Sequence, residues 1–171
     1  GVLVGVRVWA VADGMGGHAA GDVASAHAIA ALEQVDRLDE LRSADVVAAV
    51  VDANRRILDH VQREPKSAGM GTTVAGIASV MVGGAAHWAI FHVGDSRVYR
   101  AYGRQLSRAT VDHSETEDLV MAGKITEEQA RHHELRNVIT RSVGSDPAPH
   151  VDLWVMPQTP GERFLVCSDG V

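Results

Sequence analysis

The sequence predicts an α+β fold in which helices pack on the outside of antiparallel sheets. Three observations support this fold class: an apolar run over residues 2–12, two consecutive helical patterns after it, and a series of short β patterns joined by tight turns. A parallel sheet requires a strand after each crossover helix, and here two helices follow one another without a strand between them. The sequence therefore favours layered helices and antiparallel sheets over a repeating β–α–β fold.

The first part of the chain is expected to form one strand and two helices. Residues 2–12 are predicted to be the strand, and Asp22 is a suitable N-cap for an alanine-rich helix over residues 23–35. Ser43 is expected to cap a second helix that continues to about residue 62, because its aliphatic residues recur at helical spacing. The small side chains of the first helix would allow it to lie close to a sheet.

From Thr72 onward the spacing of apolar residues indicates β-strands. Four predicted strands follow one another through short turns, over residues 72–82, 86–93, 97–102 and 105–109. Links this short are typical of an antiparallel meander. Residues 112–140 are polar and helical in character, so they are interpreted as a surface subdomain between strands. Two more strands are expected over residues 150–156 and 163–168.

Length and composition indicate a single globular domain over residues 1–171. The chain has 46% hydrophobic and 22% charged residues, and its formal net charge of -6 argues against a nucleic-acid-binding surface. No apolar run is long enough to span a membrane, and the N-terminus lacks the pattern of a signal peptide. Cys167 is the only cysteine, which excludes an intrachain disulfide and fits a cytoplasmic location. Its apolar neighbours favour a buried thiol over a nucleophile.

Three acidic turns carry most of the chemical information in the sequence. Each follows an apolar run and places an aspartate beside a glycine. The three pairs are Asp13–Gly14, Gly94–Asp95 and Asp169–Gly170. A carboxylate at a strand tip, next to a glycine that allows close approach, is suited to hold a hard divalent cation. One such pair alone would be interpreted as a simple turn, whereas three indicate a carboxylate cluster that binds metal.

The first acidic turn also matches a different motif. The segment GMGGHA over residues 14–19 fits the glycine-rich fingerprint of dinucleotide-binding proteins. That fingerprint needs a second parallel strand after the helix, and here another helix is predicted instead. The Asp13 carboxylate would also repel a pyrophosphate. A metal site is therefore favoured, with the Asp13 carboxylate and the Gly14 carbonyl as oxygen donors for Mg²⁺ or Mn²⁺.

Four ordered motifs resemble those of the metal-dependent (type 2C, or PPM) Ser/Thr protein phosphatases. They are VADGMGGHAAGDVAS, the GTT at residues 71–73, HVGDSRVYR and LVCSDGV. Together they extend over essentially the whole chain, and DGMGGH with a helical insert is similar to the bacterial branch. The resemblance implies a layered α-β-β-α sandwich of antiparallel sheets flanked by helices. It also implies a helical flap, over about 112–140, beside the active site.

The resemblance implies roles for individual residues. Asp13 would bridge two catalytic metal ions, and the carbonyl of Gly14 would bind one of them. Asp169 would be a second metal-binding aspartate, and Asp95 would hold a third, weaker ion that Asp169 also reaches. Asn137 is expected near that third site. The cofactors implied are Mg²⁺ or Mn²⁺, as two catalytic ions and a weaker third one.

The implied activity is hydrolysis of phosphoserine and phosphothreonine in proteins that Ser/Thr kinases have phosphorylated. Two divalent ions would lower the pKa of a bridging water and screen the phosphate, so that no phosphoenzyme is required. The leaving alkoxide needs a proton, and His18 is hypothesised to be the general acid. A histidine that caps or packs at the helix start is an equally good interpretation. The other eight histidines are expected to be solvated or structural.

Two further expectations concern the turn after Asp95 and the ends of the chain. Ser96 and Arg97 are expected to close a hairpin. Arg97 could pair with Asp95 or bind substrate, and the structural role is favoured. No residue before Val8 matches the phosphate-gripping Arg of the family, and no later metal-binding Asp follows LVCSDGV. The chain is therefore expected to be a piece of a longer protein. This leaves an alternative function, a catalytically weak or inactive phosphatase-like module that binds metal and partners; the oligomeric state stays open.

Overall fold

The computed structural model describes residues 1–144 and 149–169, with the side chain of His18 outside that description. The strands are β1 (Val2–Val4), β2 (Val8–Val11), β3 (Gly14–Met15), β4 (Gly71–Thr72), β5 (Val74–Val82), β6 (Ala85–Val93), β7 (Arg97–Tyr102), β8 (Gln105–Arg108), β9 (Asp152–Pro157) and β10 (Arg163–Cys167). The helices are α1 (His18–Asp36), α2 (Ser43–Arg63), α3 (Glu115–Met121) and α4 (Glu127–Arg131). No helix in these residues is long and apolar enough to span a membrane.

The strands form two main sheets and one short ribbon. Strands β1-β2-β5-β6-β9 make a five-stranded sheet, β10-β7-β8 make a three-stranded sheet, and β3 pairs with β4. Every pair of neighbouring strands is antiparallel. The predicted α+β class with antiparallel sheets is confirmed.

The predicted meander is divided between the two sheets. Strands β5 and β6 pair in the five-stranded sheet, whereas β7 and β8 pair in the three-stranded one. The segment over residues 94–96 therefore crosses from one sheet to the other. The prediction that Ser96 and Arg97 close a hairpin is wrong. Gly94 has a φ of +104°, a conformation that a side chain would strain, and this lets the chain leave β6 sharply. The Asp95 turn consequently lies at the junction of the sheets.

Two apolar clusters define three layers. Leu32 of α1 and Ile57 of α2 are buried with Phe91 of the five-stranded sheet, so both helices cover one face of that sheet. The second cluster, which includes Ile90 and Val98, lies between the two sheets. In the described residues the layers are therefore the two helices, the five-stranded sheet and the three-stranded sheet, in that order. These are three of the four predicted layers. The outer face of the three-stranded sheet carries exposed leucines, Leu106 and Leu165.

The N-terminal strand predicted over residues 2–12 is instead the hairpin β1–β2. The turn between them is bound by the buried carboxylate of Asp36, which accepts hydrogen bonds from the amides of Val6 (3.0 Å), Arg7 (2.6 Å) and Val8 (2.7 Å). Burial alone would raise the pKa of Asp36, but these amides and the Arg7 charge lower it. A carboxylate at the end of α1 therefore divides the apolar run into two strands.

Helix α1 begins earlier than predicted, at His18, with Gly17 rather than Asp22 as its N-cap. Most of the glycine-rich segment lies before the helix: Gly14 and Met15 form β3, and Gly14 packs against Gly21 in the first turn of α1. Helix α2 begins at Ser43, so its N-cap is Arg42 rather than the predicted Ser43, and the Arg42 amide donates to the Asp45 carboxylate at 2.8 Å. Both corrections concern helix ends, whereas the existence of the two helices was predicted correctly.

Candidate metal centre and flap cleft

The Asp13 turn is held by its backbone and leaves its side chain exposed. Asp13 follows β2, and its amide donates to Thr73 Oγ1 at 3.2 Å. The carbonyl of Asp13 accepts from the amide of Thr73 at 2.9 Å and from Thr72 Oγ1 at 3.0 Å. The two threonines of the GTT motif therefore fix the direction of the chain, so that the Asp13 carboxylate stays free to bind a ligand.

Gly14 is required by close packing against the start of α1. A Cβ atom at this position would lie 1.9 Å from the carbonyl oxygen of Gly21. Gly21 is restricted in the same way, since its own Cβ would lie 2.8 Å from the carbonyl carbon of Gly14. The turn and the helix thus form one rigid unit, which explains why glycines recur in this segment.

The Asp95 turn is joined to the Asp13 turn through Thr73. The hydroxyl oxygens of Thr73 and Ser96 lie 2.6 Å apart, and Thr73 Oγ1 also accepts from the amide of Asp13. A Cβ atom on Gly94 would lie 2.7 Å from Thr73 Cγ2, so this glycine too is in close contact with the threonine. One buried residue therefore positions two of the three predicted acidic turns.

Asp95 lies in an environment unfavourable to its own negative charge. Burial raises the pKa of Asp95 above its ordinary value, and the nearby Asp169 and Asp112 carboxylates raise it further. Its own backbone amide and the Arg97 charge offset this only in part. Carboxylates that repel one another in a partly buried site are stabilised by a bound cation, as in many metal centres.

A cleft of about 600 Å³ lies between the Asp95 turn and the flap. Asp95, Asp169 and Asn137 all line it, together with residues of α3 and α4. The structure thus brings together the two aspartates and the asparagine that were expected near the third metal site. Asp13 is not among the residues that line this cleft and is connected to it through Thr73.

The predicted pair between Arg97 and Asp95 is replaced by a pair with Asp112. Arg97 Nε donates to both oxygens of Asp112 at 3.0 Å, and Nη2 donates to Oδ2 at 2.5 Å. This pairing raises the pKa of Arg97. Arg108 reaches the same carboxylate at 3.7 Å and Glu117 of α3 at 2.9 Å. The network holds the beginning of the flap against the three-stranded sheet, and the sequence offers no local signal for it.

A buried cluster of His92, His113 and Asp152 was not predicted. His92 is fully buried, neither of its ring nitrogens has a hydrogen-bond partner, and its ring is stacked 4.4 Å from that of His113 and 5.6 Å from that of Trp154. Burial lowers the pKa of His92 to about 4, and the nearby charge of His113 contributes to this shift as the second cause. The histidines lie on separate elements without a motif spacing, so the sequence alone could not group them.

The arrangement of this cluster differs from that of a metal centre, although one ligand atom of each of its residues lies within 4.8 Å of the others. The amide of Gly94 donates to His113 Nδ1 at 3.1 Å, so the proton of the neutral ring is on Nε2. That nitrogen faces Asp152 Oδ2 at 3.2 Å and donates to it.

Of three other residues named in the sequence analysis, His18, Gly170 and Cys167, the structure describes the side chain of Cys167 alone. Helix α1 begins at His18, but the side chain of His18 lies outside the described residues, as does Gly170. Cys167 is buried, and burial raises the pKa of its thiol, which agrees with the interpretation that it is not a nucleophile.

Sequence comparison identifies the relatives of this chain. A family model described as Protein phosphatase 2C matches residues 2–171. The Serine/threonine protein phosphatase PstP of Mycobacterium tuberculosis is 40% identical over 177 residues, which cover 99% of this chain and 32% of that protein. The Serine/threonine phosphatase stp of Listeria monocytogenes is 35% identical, with 94% of this chain and 65% of that protein covered. The chain therefore spans about a third of the length of the first relative.

Solved structures show the same fold. The crystal structure of Mycobacterium tuberculosis PstP/Ppp has a TM-score of 0.86 and 39% identity, covering 99% of this chain and 71% of that one. The PstP catalytic domain in complex with two manganese ions has a TM-score of 0.83 and 38% identity, with 99% and 70% covered. MsPP from Mycobacterium smegmatis, in complex with cacodylate, has a TM-score of 0.86 and 32% identity, with 99% and 71% covered. With the family match over nearly its whole length, this chain belongs to the protein phosphatase 2C family.

Proposed function

We propose that the chain is the metal-binding part of a protein phosphatase that hydrolyses phosphoserine and phosphothreonine. The observation that carries this proposal is the cleft that Asp95 and Asp169 line together, where burial and then the Asp169 charge raise the pKa of Asp95. Thr73 connects this cleft to the Asp13 turn. The function of the relatives supports the proposal, because those named above are serine/threonine phosphatases.

The donors proposed for the metal ions are the carboxylates of Asp13, Asp95 and Asp169 and the carbonyl of Gly14. These are hard oxygen donors, which suit Mg²⁺ and Mn²⁺ better than softer metals. The manganese ions in the PstP catalytic domain support the same choice. Asp13, Gly14 and Asp169 would hold the catalytic ions, and Asp95 would hold the weaker third ion, which Asp169 would also reach. When bound, such ions activate water and screen the charge of the phosphate.

The remaining residues of the site would receive and orient the substrate. Arg97 and Arg108 line the cleft, but both are paired with carboxylates of the flap or its base. Arg136 also lines the cleft, and among the described residues its guanidinium makes one hydrogen bond, at 3.4 Å to the carbonyl of His133. Arg136 is therefore placed to contact acidic groups of a phosphorylated protein. His18 remains the hypothesised general acid, and phosphorylated substrates of cytoplasmic Ser/Thr kinases remain the proposed partners.

The decisive experiment measures hydrolysis of para-nitrophenyl phosphate and of a phosphothreonine peptide with Mn²⁺ or with a chelator. Wild-type turnover should require the metal. Asp13→Asn should lower it by roughly a hundredfold or more, because even residues behind metal ligands contribute about 10–100-fold. Asp22→Asn, which changes an exposed aspartate in α1, is the matched control and should leave turnover unchanged.

Two results would contradict the proposal in different ways. Turnover that survives the chelator would exclude a metal-dependent reaction. Binding of Mn²⁺ without hydrolysis of either substrate would favour the alternative, a phosphatase-like module that binds metal and partners. His18→Ala with unchanged turnover of the peptide would remove the general-acid hypothesis while leaving the metal site intact.

A further inference from the structure

We propose that His113 is a positioning residue that holds the Asp95 turn in its metal-binding arrangement and connects this turn to the base of the flap. The inference rests on the proposed function of the Asp95 site. It assigns His113 no contact with the metal or substrate. Its effect would pass through the backbone of Gly94, the residue immediately before Asp95.

His113 binds both backbone groups of Gly94. The amide of His113 donates to the carbonyl of Gly94 at 3.0 Å, and the amide of Gly94 donates to His113 Nδ1 at 3.1 Å. Both bonds are buried or nearly so, because His113 is 6% exposed. A buried amide that loses its acceptor costs more than an exposed one, so the imidazole is a strong constraint on the direction in which the chain leaves β6.

The orientation of the His113 ring is itself fixed from its other side. Its Nε2–H donates to Asp152 Oδ2 at 3.2 Å, and Asp152 Oδ1 accepts from Arg141 Nη1 at 2.9 Å. Arg141 also lies 3.1 Å from Nε2, but it donates to the carboxylate because that nitrogen carries a proton. Burial alone would raise the pKa of Asp152, but the His113 hydrogen bond and nearby positive charges lower it. A charged carboxylate therefore maintains the tautomer that accepts from Gly94.

His113 also forms part of the base of the flap. Its carbonyl accepts from the amide of Thr140 at 2.8 Å, at the point where the flap returns to the sheets. The next residue, Ser114, caps α3 by accepting from the amide of Glu117 at 3.2 Å, and it forms a β-bridge with Ile139. A single residue thus joins the Asp95 turn, the two ends of the flap and strand β9.

Asp95 needs this constraint because of the charges around it. Asp95, Asp112 and Asp169 all line the same cleft, so three carboxylates of like charge share this site. Thr73 limits movement on one side of Gly94, and His113 limits it on the other. A metal site in which one ligand is held against repulsion binds its ion more tightly when the ligand cannot relax away from it.

The test compares Mn²⁺ binding and hydrolysis among His113→Leu, His113→Asn and His132→Leu in the whole chain. Leucine removes the acceptor for Gly94, whereas the Oδ1 of asparagine can replace Nδ1. His113→Leu should raise the Mn²⁺ concentration for half-maximal occupancy of the weaker site roughly five- to tenfold, the value of about one buried hydrogen bond. The rate at saturating Mn²⁺ should change by less than about twofold, and His113→Asn should recover most of the affinity.

Additional measurements distinguish positioning from general loss of structure. Exchange of the Gly94 amide with deuterium should accelerate in His113→Leu and not in His113→Asn, while exposed His132→Leu in the flap should behave as wild type. If His113→Leu does not fold, Asp152→Ala replaces it. This variant keeps the acceptor for Gly94 but no longer holds the ring in place, so Gly94 exchange should accelerate and Mn²⁺ affinity should fall about threefold.

The proposal is overturned if His113→Leu folds and titrates with Mn²⁺ as wild type does. It is also overturned if His113→Asn is as impaired as His113→Leu, or if Asp152→Ala leaves both Mn²⁺ affinity and Gly94 exchange unchanged. Failure of the proposed function has a different signature. In that case the wild-type chain binds Mn²⁺ but hydrolyses neither substrate, and the binding measurements still decide the role of His113.

Discussion

The Asp13 turn and the Asp95 turn look alike in the sequence but are held by different interactions. The Asp13 turn is fixed locally, by two threonines and by direct contact between Gly14 and the backbone of α1. The Asp95 turn crosses between two sheets, and His113 at the base of the flap binds it through the backbone of Gly94. The carboxylate of Asp13 is exposed, whereas that of Asp95 is partly buried among like charges.

This difference indicates that the two turns respond differently to change. A turn packed against a helix is rigid and cannot be adjusted without disturbing the fold. A turn held by side chains from the flap and β9 can be altered by whatever moves those elements. We therefore expect the proposed metal site at Asp13 to be constant and the proposed site at Asp95 to vary with the position of the flap.

The largest expected effect tests the rigidity of the Asp13 turn. Gly14→Ala introduces a Cβ atom 1.9 Å from the Gly21 carbonyl oxygen, so α1 must move away from the turn. The free energy of unfolding should fall by about 3–4 kcal/mol, in the range of severe overpacking. Urea denaturation followed by circular dichroism measures this loss.

A matched glycine separates the steric clash from backbone strain. Gly17 has a φ of +89° but no heavy atom within 4 Å of its Cβ position. Its ψ of 153° places it in a backbone region that is almost restricted to glycine, so Gly17→Ala should cost about 1–3 kcal/mol from backbone strain alone. Equal losses for the two variants would show that Gly14 is not in close contact with the helix and would remove the contrast between the turns.

An intermediate effect is expected at the network that holds the flap near the Asp95 turn. Arg97→Met leaves the buried carboxylate of Asp112 with only the more distant Arg108 at 3.7 Å. The free energy of unfolding should fall by about 2–3 kcal/mol, because an uncompensated buried charge is costly. The double variant Arg97→Met with Asp112→Leu should recover most of this loss in thermal unfolding. A double variant as unstable as the single one would contradict this explanation.

The smallest expected effect is on stability and depends on the charge of Asp95. Removing this charge should stabilise the metal-free protein but reduce the stabilisation that Mn²⁺ adds. Because the pKa of Asp95 is raised in the folded state, folding favours its protonated form. The stability of the metal-free protein should therefore decrease as pH rises from the ordinary value of 3.8 through the raised pKa. Asp95→Asn removes this dependence and should stabilise the metal-free protein by on the order of 1 kcal/mol at pH 7.

Melting temperatures measured with chelator and with Mn²⁺ test this prediction. Asp95→Asn should melt higher than wild type in chelator, whereas the additional stabilisation by Mn²⁺ should be smaller than in wild type. If the variant melts lower in chelator, repulsion does not dominate at Asp95, and the contrast with the exposed Asp13 must be explained in another way.

Much of the fold could be predicted because periodicity is a local property. The strands over residues 74–82 and 97–102 and both long helices appear close to their predicted positions. The misses came from contacts between distant residues. The division of the first strand depends on Asp36, about 30 residues away, and the early start of α1 depends on the contact between Gly14 and Gly21.

The candidate site was predictable where a motif is contiguous. The acidic turns at Asp95 and Asp169 were recognised from a few adjacent residues, and the structure places both on one cleft. The partners of these turns could not be recognised in the same way. His113 and Asp152 lie on different elements, 39 residues apart, and only the folded chain brings them together.

The burial of Cys167 has a consequence for the acidic turn that follows it. Its thiol lies two residues before Asp169, and burial raises its pKa, so little thiolate exists at neutral pH. Thiolate is the form that peroxides and alkylating reagents attack. Oxidation of this thiol at the end of β10, just before the Asp169 turn, should therefore be slow, in contrast to phosphatases whose catalytic cysteine makes them sensitive to the redox state of the cell.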